Sequence, residues 1–298
     1  PKGLNARNIS ASAVPFGTEM QSLFATPDEA THDEIIEIIQ RFGHSAAICK
    51  KAGFSGVEIH AAHGYLIKQF LSPLHNLRND EWGGTPEKRR KFLMEVYQEI
   101  RKQVGTDFPI AIKLNSADFQ KGGFTEEDSL EVIKALAVAG IDLIEISGGT
   151  YESGVAKAPQ KSSTIAREAF FIDFAEKVRK YVTTPLMLTG GFRSAEGMNQ
   201  ALKSNAFDVV GIARLMAIEP DVPKSLLSGK NGFQSVQPQI PIMRNMDMKK
   251  WHMKTMIIFI CISNFIYRRA LLPVPFLYWL FAIAVMHKTC LQRSPKPM

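Results

Sequence analysis

Along the chain, short apolar runs rich in β-formers alternate with longer stretches in which apolar side chains recur every three or four positions. The alternation occurs five times, the pattern of a parallel sheet whose strands are joined by crossover helices. The strand segments are GVEIH (Gly56 to His60), IAIKL (Ile110 to Leu114), LIEIS (Leu143 to Ser147), LMLTG (Leu186 to Gly190) and VVGIA (Val209 to Ala213). Helix starts are legible between them. Thr31 with Glu34, and Thr125 with Asp128, resemble capping boxes, in which two side chains satisfy free N–H groups of the first turn. Ser194 caps AEGMNQALK, and Pro86 to Val104 and Glu168 to Tyr181 are amphipathic at helical spacing.

Each predicted strand carries its polar or glycine residues at its C-terminal tip: His60, then Lys113 and Asn115, then Ser147 with Gly148 and Gly149, then Thr189 to Gly191, then Ala213 and Arg214. In a parallel barrel or an open α/β sheet that edge is where ligands bind, because strand ends and helix N-termini converge there. TGGFRSAEG, from Thr189, sets two glycines between a strand and a capped helix, so backbone N–H groups can approach an anion at the helix start. GIARLM, from Gly211, adds Ala213 and Arg214 at the next tip, as in barrels that grip phosphate with their last two loops.

GFSGVEIHAAHGYL, from Gly53, ends in two imidazoles three residues apart, His60 and His63, followed by Tyr65. Three readings stand side by side. One histidine can be a satisfied core residue. The pair can bind metal, although HxxH lacks the glutamate of HExxH and has no third ligand nearby in sequence. Or two neutral imidazole N–H groups can aim at one oxygen and stabilise the negative charge that develops there, with Tyr65 supplying a proton.

Composition narrows the classes. With 298 residues, 45% of them hydrophobic and 22% charged, the chain can bury a sizeable core. Its formal charge of +7 is scattered without a polybasic block, which argues against a nucleic-acid partner. Cys49, Cys261 and Cys290 are widely spaced and show no zinc pattern, which fits a reducing compartment and a cytoplasmic location.

EIHAAHGYLIKQFLSPLHNLRNDEWGGTPEKRRKF, IAIKLNSADFQKGGF, LIEISGG, LTGGFRS and DVVGIARLMAIEPD, in that order, resemble the Old Yellow Enzyme family of FMN-dependent ene-reductases, also called the NADH:flavin oxidoreductase family. The likeness runs from about Ala11 to about Lys230. It implies an α/β fold of the (β/α)8 TIM-barrel type with FMN over its C-terminal face. It also implies hydride transfer from NAD(P)H through the flavin to an electron-poor alkene such as an α,β-unsaturated carbonyl compound, a small-molecule substrate. By that resemblance His60 and His63 hydrogen-bond the substrate carbonyl oxygen and Tyr65 gives a proton to the α carbon. Lys113 lies beside the flavin pyrimidine, and Gly190, Gly191, Phe192, Ala213 and Arg214 hold the phosphate. Arg78 and Asp80 read as loop scaffolding. Trp82 stands where the family usually has Tyr, and the segment from Glu152 to Ser163 is short beside family relatives.

Two regions depart from the family. The first three barrel strands are expected before Pro1, so about five βα units remain, a partial barrel over residues 1–232, and five strands cannot close an eight-stranded barrel. A linker over 233–254 then leads to a hydrophobic tail over 255–298. The tail's apolar runs are interrupted by Arg268, Arg269, Pro273 and Pro275, each shorter than the roughly 20 residues of a spanning helix. Membrane contact through 255–286, a homo-oligomer pairing the exposed strands, and a truncated non-catalytic remnant are the alternatives these departures raise. A five-stranded doubly wound domain binding a phosphate ligand is a further one, from fold alone.

Overall fold

Five strands run parallel in the order in which the chain makes them. The structure, a computed structural model, describes residues 7–18, 21, 24–150, 168–213 and 221–228. Its main sheet consists of β3 (Val57–Ala61), β4 (Ile110–Asn115), β5 (Leu143–Ser147), β6 (Leu186–Thr189) and β7 (Val209–Gly211). Every crossover moves one place in the same direction, as in the wall of a barrel. A doubly wound sheet would reverse its order at a switch point, and these five strands contain no reversal. Ahead of the sheet, β1 (Ile9–Ser10) and β2 (Asp28–Glu29) form a separate two-stranded parallel pair that the hydrophobic pattern does not announce.

The helices are α1 (His32–Lys51), α2 (Leu66–Leu71), α3 (Pro86–Val104), α4 (Glu126–Ala139), α5 (Ile172–Arg179), α6 (Ala195–Leu202) and α7 (Val222–Leu227). Both expected capping boxes are present, Thr31 with Glu34 on α1 and Thr125 with Asp128 on α4, and each joins the side chain of one residue to the backbone N–H of the other. Ser194 caps α6 through the Gly197 N–H. The helix expected from Glu168 begins four residues later, at Ile172. Glu168 instead has φ of 59°, outside the helical region, and its carboxylate does other work described below.

Register separates the two faces of the sheet. Ile59, Ile112, Ile144 and Leu186 are neighbours on adjacent strands, each 2% exposed or less, and belong to the apolar core shared with helix residues such as Leu93, Val96 and Ile133. One residue along, His60, Lys113, Glu145 and Met187 are neighbours on the opposite face. In α1, Gly43 lets α3 approach: a Cβ there would meet Glu99 Cγ at 2.8 Å. Between α2 and α3, Phe70 and Phe92 stack with centroids 4.2 Å apart.

NLRND is the loop scaffold its sequence implies. The Arg78 guanidinium, 8% exposed, donates to the carbonyls of Ala11 (3.0 Å) and Ala30 (2.7 Å) and grips Asp80 through Nε and Nη2. Asp80 accepts from the Trp82 N–H, and the Trp82 indole, 1% exposed, donates to His32 Nδ1 at 3.2 Å. The loop thereby ties β1, β2 and α1 together. Residues 152–163, 233–254 and 255–298 lie outside the described residues. Among the described residues, no helix is long and apolar enough to cross a membrane.

Candidate active site

The C-terminal strand tips bring together residues from five separate segments. β3 carries His60 near its end, and the chain then turns so that His63 has φ of 60° and forms a lone parallel bridge to Thr150. That left-handed residue is held from neighbouring strands: Asn115 Oδ1 accepts the His63 N–H at 3.1 Å, and His63 Nε2 lies 3.0 Å from Ser147 Oγ. Asn115, fully buried, also donates through Nδ2 to Asp118 Oδ1 and to the Gly149 carbonyl. One amide thus joins the tips of β3, β4 and β5.

The His60 and His63 rings lie edge to face with centroids 5.3 Å apart, and the Tyr65 ring is 4.9 Å from His60. Burial is the main force on both imidazoles. It pushes His60 down to about 4, with Lys113 adding to the effect and Glu145 opposing it. It pushes His63 down to about 3, with His60 and then Lys113 adding. Both rings are therefore neutral near pH 7, each carrying one ring N–H. Tyr65 ends up as the N-cap residue of α2, without a side-chain capping bond.

A cavity of about 200 Å³ opens beside this group. His63, Ser147 and Gly148 line one part, and Thr189, Gly190, Gly191, Phe192, Gly211, Ile212 and Ala213 line the other, with Phe170 and Phe171 between. The cavity therefore joins one of the two histidines to the Gly190 edge. His60 is not part of the lining and packs edge to face against His63. Lys113 is 16% exposed and paired with Glu145 on the inner face. Arg214 lies outside the described residues.

The glycine segment differs from its sequence reading in one respect. The anion at the start of α6 is the carboxylate of Glu168, whose Oε2 accepts the N–H groups of Arg193 (2.7 Å) and Ser194 (2.8 Å) and the Ser194 hydroxyl. The two glycines are also demanded by the protein's own packing. A Cβ on Gly190 would meet Phe171 at 2.7 Å, and one on Gly191 would meet the Glu168 carbonyl at 2.0 Å. A ligand phosphate at these tips would therefore meet the walls formed by Gly190, Gly191, Phe192 and Ala213, with the helix start already filled.

Sequence reasoning missed the buried pair beneath the site. Lys68 Nζ and Asp118 Oδ2 are 2.7 Å apart with side chains 1% and 0% exposed, and Asp118 also accepts from Ser72 and the Phe124 N–H. The ion pair anchors α2, and with it Tyr65, to the loop after β4. Among the described residues, no group of three His, Cys, Asp or Glu side chains could hold a metal ion.

This arrangement has relatives. The NADH-dependent flavin oxidoreductase iccE of Talaromyces variabilis is 38% identical over 239 residues, a match covering 76% of this chain and 58% of that protein. The NADH-dependent flavin oxidoreductase nadA of Aspergillus parasiticus is 42% identical over 225 residues, covering 74% of this chain and 50% of its own. The chain thus spans about half the length of these relatives. Among solved structures, a 2-naphthoyl-CoA reductase superposes with a TM-score of 0.66 at 31% identity, over 75% of this chain and 33% of that one. The old yellow enzyme homologue of Zymomonas mobilis superposes with a TM-score of 0.61 at 23% identity, over 77% and 63%, a likeness of fold. That fold is the TIM barrel, and the five consecutive parallel strands are part of its wall. Residues 5–232 match the family profile across every strand and every tip residue described above, and the chain belongs to the NADH:flavin oxidoreductase / NADH oxidase family.

Proposed function

We propose that this chain carries the substrate-facing side and part of the cofactor-facing side of an FMN-dependent oxidoreductase that delivers hydride from NAD(P)H to an electron-poor alkene. One observation carries the reading: the neutral His60 imidazole packs 5.3 Å from the His63 ring and 4.9 Å from the Tyr65 ring, and His63 opens onto the cavity that reaches the paired glycines. Neutral imidazole N–H groups polarise a carbonyl oxygen and stabilise charge building there without adding a cation that would have to be desolvated. The phenol beside them is a proton donor at the strand tip.

The residues fit the cofactor in parts. Gly190, Gly191, Phe192 and Ala213 would hold the phosphate end, in a cavity of about 200 Å³ that suits a fragment of the molecule, since whole-ligand pockets run to roughly 300–1,000 Å³. Lys113, paired with Glu145, would lie at the pyrimidine end, where the charge beside the ring tunes its electronics. When bound, the flavin would accept hydride from the nicotinamide and pass it to the alkene. The protein's own share is to orient the carbonyl through His60 and His63, to hold a proton on Tyr65 Oη, and to keep water from the site with Phe170 and Phe171.

Purified protein tests the reading directly. Flavin absorbance that bleaches on addition of NADH, and returns on addition of an enone such as cyclohexenone, is the expected result. Replacing both His60 and His63 with Ala should weaken phenol-type ligands and enone turnover while leaving reduction by NADH largely intact. Equal loss of both half-reactions would overturn the roles given to the pair.

A further inference from the structure

Level with His60, the inner face of the sheet carries a layer of charge whose sum has to be settled. Lys113 and Glu145 are register neighbours on β4 and β5 and form an ion pair, with the Glu145 residue 2% exposed. Glu58, two residues before His60 on β3, faces the same side, so that β4 with Lys113 lies between it and Glu145 on β5. Glu58 Oε1 is buried and has no hydrogen-bond partner among the described residues. The next strand presents Met187 at this level and adds no charge, and His60 is neutral. Among the described residues, the layer therefore holds two carboxyl groups and one ammonium. With both carboxylates ionised, it would keep a net negative charge out of water, and two like charges would face each other across β4. One proton on the pair removes both penalties and turns Glu58 into a donor for Glu145. Burial first and the nearness of Glu145 second push the Glu58 carboxyl far above the usual range, in agreement with that count.

We propose that Glu58 and Glu145 are a one-proton carboxyl pair that positions Lys113 and cancels its charge, so that three residues, not the lysine alone, set the charge presented at the cofactor edge. The inference rests on the flavin reading above for its consequence, but the pair itself can be seen without flavin. Glu58 and Glu145 are positioning residues: they act on Lys113, and Lys113 acts on the ring. Either carboxyl can serve as the counterion when the other is replaced. If Glu145 becomes neutral, Glu58 loses its like-charged neighbour and ionises opposite Lys113. If Glu58 becomes an amide, Glu145 keeps both the ion pair and a donor. Only loss of both leaves Lys113 uncompensated.

The experiment uses the full chain with Glu58→Gln, Glu145→Gln and the double variant. Infrared spectra near neutral pH, with glutamate carboxyl carbons isotope-labelled, should show a protonated-carboxyl stretch in the wild type that is absent from each single variant. In the flavin-loaded protein, the ratio of affinities for reduced over oxidised FMN should change less than about threefold in either single variant. In the double variant it should rise about tenfold or more, equivalent to about 30 mV for a two-electron couple. A wild type without the protonated stretch overturns the proposal. So does a single variant that by itself shows the whole effect of the double. A merely structural role would lower stability without producing this non-additive rise. Should the double variant not fold, the spectra of the wild type and single variants decide the matter. Wild-type protein that shows the stretch but takes up no FMN would sink the flavin reading and leave the carboxyl pair standing.

Discussion

His63 Nε2 sits 3.0 Å from Ser147 Oγ, so the histidine at the tip of one strand is steered by a hydroxyl two strands away. The His63 backbone is held from β4 by Asn115, which leaves the ring direction to Ser147. If Ser147 aims the ring, Ser147→Ala should weaken a phenol-type ligand by roughly two- to tenfold, the worth of one ordinary hydrogen bond, with FMN uptake unchanged. If it competes for the ring N–H, affinity rises instead. Equilibrium titration of the ligand into both proteins distinguishes the two by sign.

The two lowered histidines make a pH prediction. In the unfolded chain each takes its proton near 6.5, whereas folded His60 and His63 do so at about 4 and about 3. Between those values the unfolded state binds more protons, so stability falls as pH drops below about 6.5 and is unaffected by these groups above it. At pH 4 the loss should be roughly 1–3 kcal/mol for each ring, after discounting for partial exposure. Urea denaturation from pH 7.5 to pH 4, with His63→Gln as comparison, reads it. A variant as acid-sensitive as the wild type would show that His63 takes its proton at the same pH folded as unfolded.

Much of this could be read before the structure was known, and the reason is physical. Strands, caps and tip residues are local: Thr31 with Glu34 is a cap wherever a helix follows, and alternation decides which face of β4 holds Lys113. What was not legible depends on pairs distant in sequence. Lys68 and Asp118 are 50 residues apart, and neither neighbourhood shows that both will be buried. Glu168 looked like the first turn of a helix, because its amphipathic spacing is right. Its role at the start of α6, 26 residues on, is visible only once the loops are folded.

Arg78 makes a prediction about substitutions that keep charge. Its planar fork reaches two carbonyls and Asp80 at once, which a single ammonium cannot do. Arg78→Lys should leave a buried carbonyl unpaired and cost about 1–3 kcal/mol. Amide exchange should accelerate first at Ser10 and Ala30, whose backbone groups flank the Arg78 contacts. Unchanged exchange there would mean that β1 and β2 hold themselves.

The buried pair under α2 should respond unequally to loss of its two partners. Burial pulls the Lys68 ammonium down and Asp118 holds it up. Without Lys68, Asp118 keeps donors from Ser72, Asn115 and the Phe124 N–H. Without Asp118, Lys68 keeps the Phe124 ring, 5.0 Å from its nitrogen, and the weaker pull of Asp128, but no carboxylate hydrogen bond among the described residues. Asp118→Ala should therefore cost about 3–5 kcal/mol and Lys68→Met clearly less. Chemical denaturation of both variants checks the order, and the reverse order would place the main anchor on the lysine.

Gly191 and Gly53 separate backbone strain from steric demand. Both have positive φ, +92° and +87°, so either replaced by Ala should incur a strain on the order of 1–2 kcal/mol. At Gly53 nothing lies within 4 Å of the added carbon, and the strain is the whole effect. At Gly191 that carbon would sit 2.0 Å from the Glu168 carbonyl and 2.7 Å from the Phe170 ring, so the segment carrying Glu168, Phe170 and Phe171 has to move. That movement disturbs the carboxylate at the start of α6 and one wall of the cavity together. Gly191→Ala should thus melt well below Gly53→Ala and take up FMN more weakly, whereas Gly53→Ala should bind it as the wild type does. Equal melting temperatures and equal FMN affinity in the two variants would show that the Glu168 segment is not held against the glycines in solution.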